Sequence, residues 1–590
     1  MTRRSPPPGR PNCYPMIDSR PPRGFAGRGA RVHLDGSTAR ALETGRTRLL
    51  AAGLVFALAF TVVGGRLVDL TLLSRGDEPK VAGGPTAPQR ESGRADIVDR
   101  NGVLLATTLP TASLWANPHH VSDPSEAAVQ LNAVLPELSR DEILSKLTSN
   151  RGFVWLKRGL TPRQQYTVNR LGIPGLQFQQ EPQRFYPAAD LTAHSVGFTG
   201  VDDNGLAGIE RSFDSELRGA VKPLALSLDL RVQHVMTQAL KDAMTEFKAI
   251  GAAGIVMDVR TGEIVAMASL PDFDPNHPGD APPDARFNRA SLGVYEMGSV
   301  FKIFTTAMAL NAGVVTLDDG YDTSQPIRIA RFTISDFKPK NRWLSIPEIF
   351  IYSSNIGTAH IAMDVGTETQ RDFLGRLGLL RPSAIELPEV GQPMLPSPWR
   401  EINTLTISYG HGLAVSPVQL VSAVSAIVNG GVLRPATLLR RPAGTEAPGT
   451  RVISERTSHQ MRQLMRLVVT HGTGKKANAE GYMVGGKTGT ADKLVDGKYV
   501  RDARVASFVG AFPMTDPRYA IFVTLDEPKG NADTFNYATG GWVAAPAVRR
   551  VVEQIGPLLG VAPIRTDSED AKNELLFVRA SAKAQKVAAN

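Results

Sequence analysis

Ser299 and Lys302 stand three residues apart in Gly298-Ser299-Val300-Phe301-Lys302, at the head of a run that holds Ile303, Phe304, Met308 and Leu310 with no breaker before Gly313. Such a run predicts a buried helix. Three residues make about one helical turn, so the amine at 302 is expected within reach of the hydroxyl at 299. A serine is a weak nucleophile until a neighbour removes its proton, and a lysine kept neutral by burial or by another cation can do so. The spacing points to acyl transfer through a covalent serine ester.

Spacing alone decides little, because Ser335 and Lys338 repeat it. Pro339 follows that second lysine directly and pushes it out of helical geometry, so the first pair is favoured. Two further partners occur downstream: Ser353-Ser354-Asn355, then Lys487-Thr488-Gly489-Thr490 after Gly485-Gly486, in what reads as a short strand. Taken singly, Ser299 reads as a helix cap, Asn355 as a turn residue and Lys487 as a solvated strand lysine. In this order the three motifs form the signature of penicillin-interacting serine enzymes.

With those motifs the chain resembles a class B penicillin-binding protein over roughly residues 90 to 560. Arg94 to Gly102, Arg184-Phe185-Tyr186-Pro187, His194, Gly197, Gly208, Glu210 and Leu217-Arg218-Gly219 resemble the motifs of that family's non-catalytic module. Tyr295-Glu296-Met297-Gly298-Ser299, Tyr409-Gly410-His411-Gly412 and Gly540-Gly541 resemble its catalytic part, except that Met297 stands where proline is usual. That departure is expected to loosen the turn before the helix and leave the reacting groups in place. Glu210 is expected in a buried interdomain ion pair. No glycosyltransferase-like stretch precedes the catalytic part, which argues against the bifunctional class A type.

The elements that must position these groups follow. The fold class implied is α+β: a penicillin-binding transpeptidase (β-lactamase-like) domain of antiparallel sheet plus helical subdomain, preceded by a transmembrane helix and an α+β pedestal module. A helix is predicted around Arg231 to Phe247. Hairpins are predicted from Ala253 to Val259 with Glu263 to Ser269, and from Val505 to Phe512 with Tyr519 to Leu525. The resemblance implies that early and late sequence join in one antiparallel sheet with a helical insertion between them.

Charge and hydropathy frame the rest. The net charge is +9, but residues 1 to 48 hold ten arginines against Asp18, Asp35 and Glu43, leaving +2 for everything after them. No basic stripe remains for nucleic acid. The head, 1–48, is expected to be disordered and cytoplasmic. Leu49 to Gly65 is an uncharged run of 17 residues between Arg48 and Arg66, expected to open a single transmembrane helix over 49–70. A linker and non-catalytic, dimerisation-like pedestal are expected over 71–222, a transpeptidase domain over 223–560 and a loose tail over 561–590. The lone Cys13 lies in the head, so no disulfide is expected outside the cytoplasm. His119 and His120 are adjacent, without the spacing of zinc ligands, and no metal or cofactor is expected.

The resemblance implies roles. Ser299 is the nucleophile, Lys302 its base, Ser353 a proton relay, and Asn355 a holder of Lys302 and of the substrate amide. Lys487, Thr488 and Thr490 bind the terminal carboxylate of a D-Ala-D-Ala stem, Gly489 is substrate-binding beside them, and the N–H groups of Ser299 and Thr490 form an oxyanion hole. The strand bearing Lys487 is expected to accept an extended peptide edge to edge. The implied activity is a serine-type D-Ala-D-Ala transpeptidase, with carboxypeptidase as a side reaction, in the inner membrane with its catalytic part periplasmic. Implied partners are peptidoglycan stem peptides and nascent glycan strands, β-lactams, the membrane, a membrane-embedded polymerase and divisome proteins. Within class B, Gly298-Ser299-Val300-Phe301-Lys302, Gly489-Thr490-Ala491-Asp492-Lys493 with Gly497-Lys498-Tyr499, and the overall length look closer to the septal, cell-division type than to the elongation type. The alternatives are that elongation type, a class D-like β-lactamase or acylation sensor, and a non-catalytic divisome scaffold.

Overall fold

A computed structural model describes residues 50–64, 93–329, 332–442, 444–445, 447–495 and 498–564. The expectations for the head, for Cys13 and for most of the tail lie outside the described residues. Residues 1 to 89 form a unit of their own, of which a helix over residues 50–64 is described. The expected span over 49–70 falls partly outside the described residues. No described helix is long and apolar enough to cross a membrane.

From residue 93 the chain builds the pedestal. Strands β1 (Ile97–Val98), β2 (Leu104–Ala116), β3 (Val154–Leu160), β4 (Leu176–Phe185) and β5 (Leu224–Ala225) form one sheet, in which β2 pairs with β1, β3 and β4. Helices Pro124–Val134 and Arg140–Leu147 cover it, each started by a side-chain cap, Asp123 and Ser139. Their buried Ala127, Leu131, Ile143 and Leu147 pack on Leu114, Ala116, Val154 and Leu156 of the sheet. Strand β5 pairs in parallel with β1, so the pedestal sheet closes just past the expected boundary at 222.

The catalytic sheet has the order β8-β9-β10-β6-β7, from β6 (Gly251–Asp258), β7 (Ile264–Leu270), β8 (Gly485–Val495), β9 (Lys498–Phe512) and β10 (Tyr519–Asp526), all antiparallel. Both expected hairpins are present, and their strands lack polar alternation because both faces are buried. On one face Val256, Ile521, Val523 and Phe508 meet α1 (Leu230–Phe247), through Met236 and Leu240, and the C-terminal helix Gly540–Leu558, through Val548 and Val551. On the other face Ile255, Met257, Phe522 and Val509 meet the helical subdomain. That subdomain includes α2 (Lys302–Asn311), α3 (Ile346–Tyr352), α4 (Asn355–Val365), α5 (Pro417–Val428) and α6 (Glu455–Thr470). The last helix, Gly540–Leu558, is α7.

Pedestal and catalytic domain share a core, since Ile97, Leu105, Ile209 and Leu217 join the same apolar cluster as the helical subdomain. Polar clasps reinforce it: Leu230 N donates to Asp99 Oδ2 at 3.1 Å and Gln233 Nε2 to Leu191 O at 2.8 Å. Glu210 is fully buried and pairs with the guanidiniums of Arg94 and Arg184. The buried pair is therefore present, but inside the pedestal rather than between domains. All three residues lie within 93–225, and Arg94 also donates to Asp214 Oδ1 at 2.7 Å.

Candidate active site

Three chain segments from the two walls of one cleft converge on Ser353. The motif of the expected nucleophile, Ser299, begins as a tight 3-10 turn, Gly298–Phe301, that runs into α2 at Lys302. Ser299 lines the cleft, whereas Lys302 points into the interior and is wholly buried. Gly298 has φ +54, and a Cβ there would lie 2.5 Å from Thr490 O. A Cβ at Gly410 would lie 1.9 Å from Gly298 O, and one at Gly489 would lie 2.4 Å from Met297 O. Gly298 and Gly489 thus let the turn with Ser299 press directly on the strand with Thr490, and Gly410 lets the segment 409–412 press on the same turn. Met297 is buried, and Gly298 N donates to Gly410 O at 3.2 Å, so the departure from proline leaves the turn held rather than loosened.

Ser353 ends α3 in the left-handed conformation, φ 60 and ψ 45. This costs a non-glycine residue about 1 kcal/mol, and such strain concentrates at functional sites. It turns both oxygens of the residue toward Lys302. The Lys302 ammonium donates to Ser353 O at 2.6 Å, to Ser353 Oγ at 3.0 Å and to Asn355 Oδ1 at 2.7 Å. None of these bonds goes to Ser299 Oγ, the partner expected from spacing. A turn apart on a helix fixes proximity, and the stronger acceptors on the facing helices α3 and α4 take the N–H groups.

Lys487, fully buried on β8, donates to the same Ser353 Oγ at 2.9 Å. Among the described residues neither lysine has a carboxylate ion pair. Burial pushes Lys302 well below the ordinary lysine value, the charge of Lys487 pushes the same way, and Asp336 opposes both. Burial brings Lys487 down to about 7.

The residues expected to bind the carboxylate share one strand. Thr488, Gly489 and Thr490 line the cleft beside Ser299. Strand β8 is the edge of its sheet and is eleven residues long, not short. Thr488 Oγ1 shares a 2.7 Å hydrogen bond with Thr473 Oγ1, and Thr490 Oγ1 accepts from Gly540 N at 3.1 Å. Glu296 ties the rim together, accepting from Gly412 N at 2.8 Å and from the Tyr499 hydroxyl at 3.0 Å, with His411 Nδ1 at 3.1 Å. The cleft holds about 780 Å³, enough for a peptide end or a small drug.

All eight residues expected in the site come together. Two contributors escaped the sequence reading, Thr473 and Asp336. The signal for Asp336 was its place inside the set-aside repeat Ser335 to Lys338. Residues 335–338 are not helical, as Pro339 dictates, yet Asp336, Phe337 and Lys338 line this same cleft.

Comparison with known proteins agrees with this geometry. The model of the penicillin binding protein transpeptidase domain matches residues 252–553, and that of the penicillin-binding protein dimerisation domain matches residues 89–223. A probable peptidoglycan D,D-transpeptidase FtsI of Caulobacter vibrioides is 41% identical over 81% of this chain and 83% of its own. The peptidoglycan D,D-transpeptidase FtsI of Escherichia coli is 30% identical over 90% of this chain and 95% of its own. Penicillin binding protein 3 of Mycobacterium tuberculosis, solved with aztreonam, aligns with a TM-score of 0.63 at 25% identity, covering 80% of this chain and 98% of that one.

Proposed function

The chain belongs to the penicillin-binding protein transpeptidase family, and from that premise we propose that it crosslinks peptidoglycan as a serine D,D-transpeptidase of the septal type. The observation that carries this reading is one hydroxyl, Ser353 Oγ, held between two buried lysines at 3.0 and 2.9 Å within the cleft that Ser299 lines.

The ammonium of Lys302 spends its three N–H groups on three acceptors. Loss of a proton, which burial and Lys487 favour, frees a lone pair one helical turn from Ser299. That amine takes the Ser299 proton as Oγ attacks the carbonyl of the penultimate D-alanine. Negative charge gathers on the carbonyl oxygen, where N–H groups of Ser299 and Thr490 stabilise it, such donors being worth about 10² to 10³ in rate. Ser353 gives its proton to the leaving amine and is resupplied by Lys302 with the one taken from Ser299, the C–N bond breaks, and the terminal D-alanine departs. The amine of a second stem then attacks the ester and restores Ser299. Water in its place gives carboxypeptidation.

Lys487 as a cation, with Thr488 and Thr490, binds the stem's terminal carboxylate, and the free edge of β8 offers the peptide a strand to pair with. A β-lactam carries a matching carboxylate and amide, and acylates the same serine. The arginines before the uncharged run support a single-pass inner-membrane anchor with a cytoplasmic N-terminus and a periplasmic catalytic domain. A membrane polymerase and divisome proteins are the partners that the family resemblance implies. The reading is tested by incubating the protein with a D-Ala-D-Ala stem peptide and an amine acceptor. Release of D-alanine with a crosslinked product, absent in Ser299→Ala, supports it. No product from the unmodified protein overturns it.

A further inference from the structure

Asp336 lies in a loop, away from every catalytic motif in sequence, yet its carboxylate is built into the start of α4. Oδ1 accepts from Asn355 N at 2.5 Å and from Ile356 N at 3.0 Å, and Oδ2 accepts from Ser354 Oγ at 2.7 Å. Ser354 Oγ in turn accepts from Gly357 N at 3.0 Å. The first three N–H groups of this helix of eleven residues are thereby satisfied, with a negative charge where the helix dipole favours one. The adjacent carbonyl, Ser335 O, accepts from Asn355 Nδ2 at 3.0 Å, while Asn355 Oδ1 accepts from Lys302 at 2.7 Å. The Asn355 amide is thus held at both ends, one end by this loop and the other by the base.

We propose that Asp336 is a positioning residue for acyl transfer: it fixes Asn355, and through it the amine of Lys302. The inference rests on the assignment of Lys302 as base. The charged groups that act on Lys302 are Lys487 from β8 and Asp336 from this loop. Helices α3 and α4 face it with the uncharged Ser353 and Asn355. A cap with a merely structural task fixes the helix start and leaves the proton balance of Lys302 alone. Asp336 does both, because its charge pulls Lys302 toward the ammonium form while Lys487 and burial push it away.

The test compares Asp336→Asn and Asp336→Ala in the full chain, measuring second-order acylation by a fluorescent penicillin from about pH 5 to about pH 9. Asparagine keeps an oxygen for the two backbone N–H groups and removes the charge. Its acid limb is expected to move to lower pH, so that on the wild-type acid limb its rate relative to its own plateau is about threefold higher or more. Alanine leaves the helix start open, and its plateau is expected to fall about ten- to hundredfold, with asparagine falling less. An acid limb in Asp336→Asn that stays put or moves to higher pH overturns the proposal, as does an Asp336→Ala plateau equal to wild type. If the unmodified protein is not acylated at Ser299, it is the transpeptidase reading that fails.

Discussion

Lys487 donates a 2.9 Å hydrogen bond to Ser353, and this contact joins the sheet wall of the cleft to its helical wall. The partners are 134 residues apart in sequence. Neither residue type is unusual, but a lysine with no exposed surface bonded to a hydroxyl that a second buried lysine also reaches has no simple structural use. Buried, unpaired cations weaken a fold. Their retention here marks chemistry.

Replacing Lys487 by methionine should separate stability from activity. Acylation by penicillin falls by about 10² or more, as expected when a preorganised cation for the substrate carboxylate is removed. The melting midpoint does not fall, because methionine fills the site without a charge to bury. Thermal melts and labelling rates on the same samples check both halves. A large loss of stability would mean that Lys487 is structural.

Stability should also depend on pH through Lys487. Its folded value is lowered to about 7 from 10.5, so between those two values the unfolded chain binds more protons and stability rises with pH. Below about 7 the full cost of burying the cation is present. The difference in melting midpoint between wild type and Lys487→Met should therefore shrink from pH 7 toward pH 10. A difference that is flat over that window contradicts the burial argument.

The rate of acylation at low substrate should be bell-shaped in pH. The rising limb reports loss of the Lys302 proton. The falling limb, beginning near the value of about 7 for Lys487, reports loss of the cation that holds the carboxylate. A profile that only rises would remove Lys487 from that role.

Gly298→Ala should acylate about a hundredfold more slowly than wild type. The added Cβ would lie 2.5 Å from Thr490 O at a φ of +54, so the turn must shift and carry Ser299 with it. Stopped-flow acylation measures the loss, and a wild-type rate would show that the nucleophile does not depend on this contact.

Glu210→Ala should destabilise the pedestal by about 3 to 5 kcal/mol, because it leaves the buried Arg184 guanidinium without a carboxylate and Arg94 with Asp214 alone. Acylation per folded molecule at low temperature stays at the wild-type level, since among the described residues Glu210 forms its ion pairs with Arg94 and Arg184 of the pedestal. Denaturant melts and active-site titration report the two quantities separately.

What the sequence made legible followed from local signals. Ser299, Lys302, Ser353, Asn355 and Lys487 each sit in a short motif. The hairpins were visible because a sheet buried on both faces reads as uninterrupted apolar runs. The full length of β8 was not, since Gly485, Gly486 and Gly489 look like breakers. They are there because Met514 beside Gly485, Val509 O and Phe508 beside Gly486, and Met297 O beside Gly489 occupy the space a side chain would need. The partner of Lys302 was misjudged for a related reason: spacing along one helix gives distance, but competing acceptors on α3 and α4 decide the bonds. Asp336 was hidden because its task depends on a loop folding back onto a helix start 19 residues later.

The most direct test is labelling of the intact protein with a fluorescent penicillin, followed by proteolysis and mass mapping of the modified peptide. One acyl group on Ser299, lost in Ser299→Ala with the melting midpoint unchanged, is the predicted result. Label on Ser353 or Ser335, or label that persists in Ser299→Ala, would contradict the assignment of the nucleophile and the roles built on it.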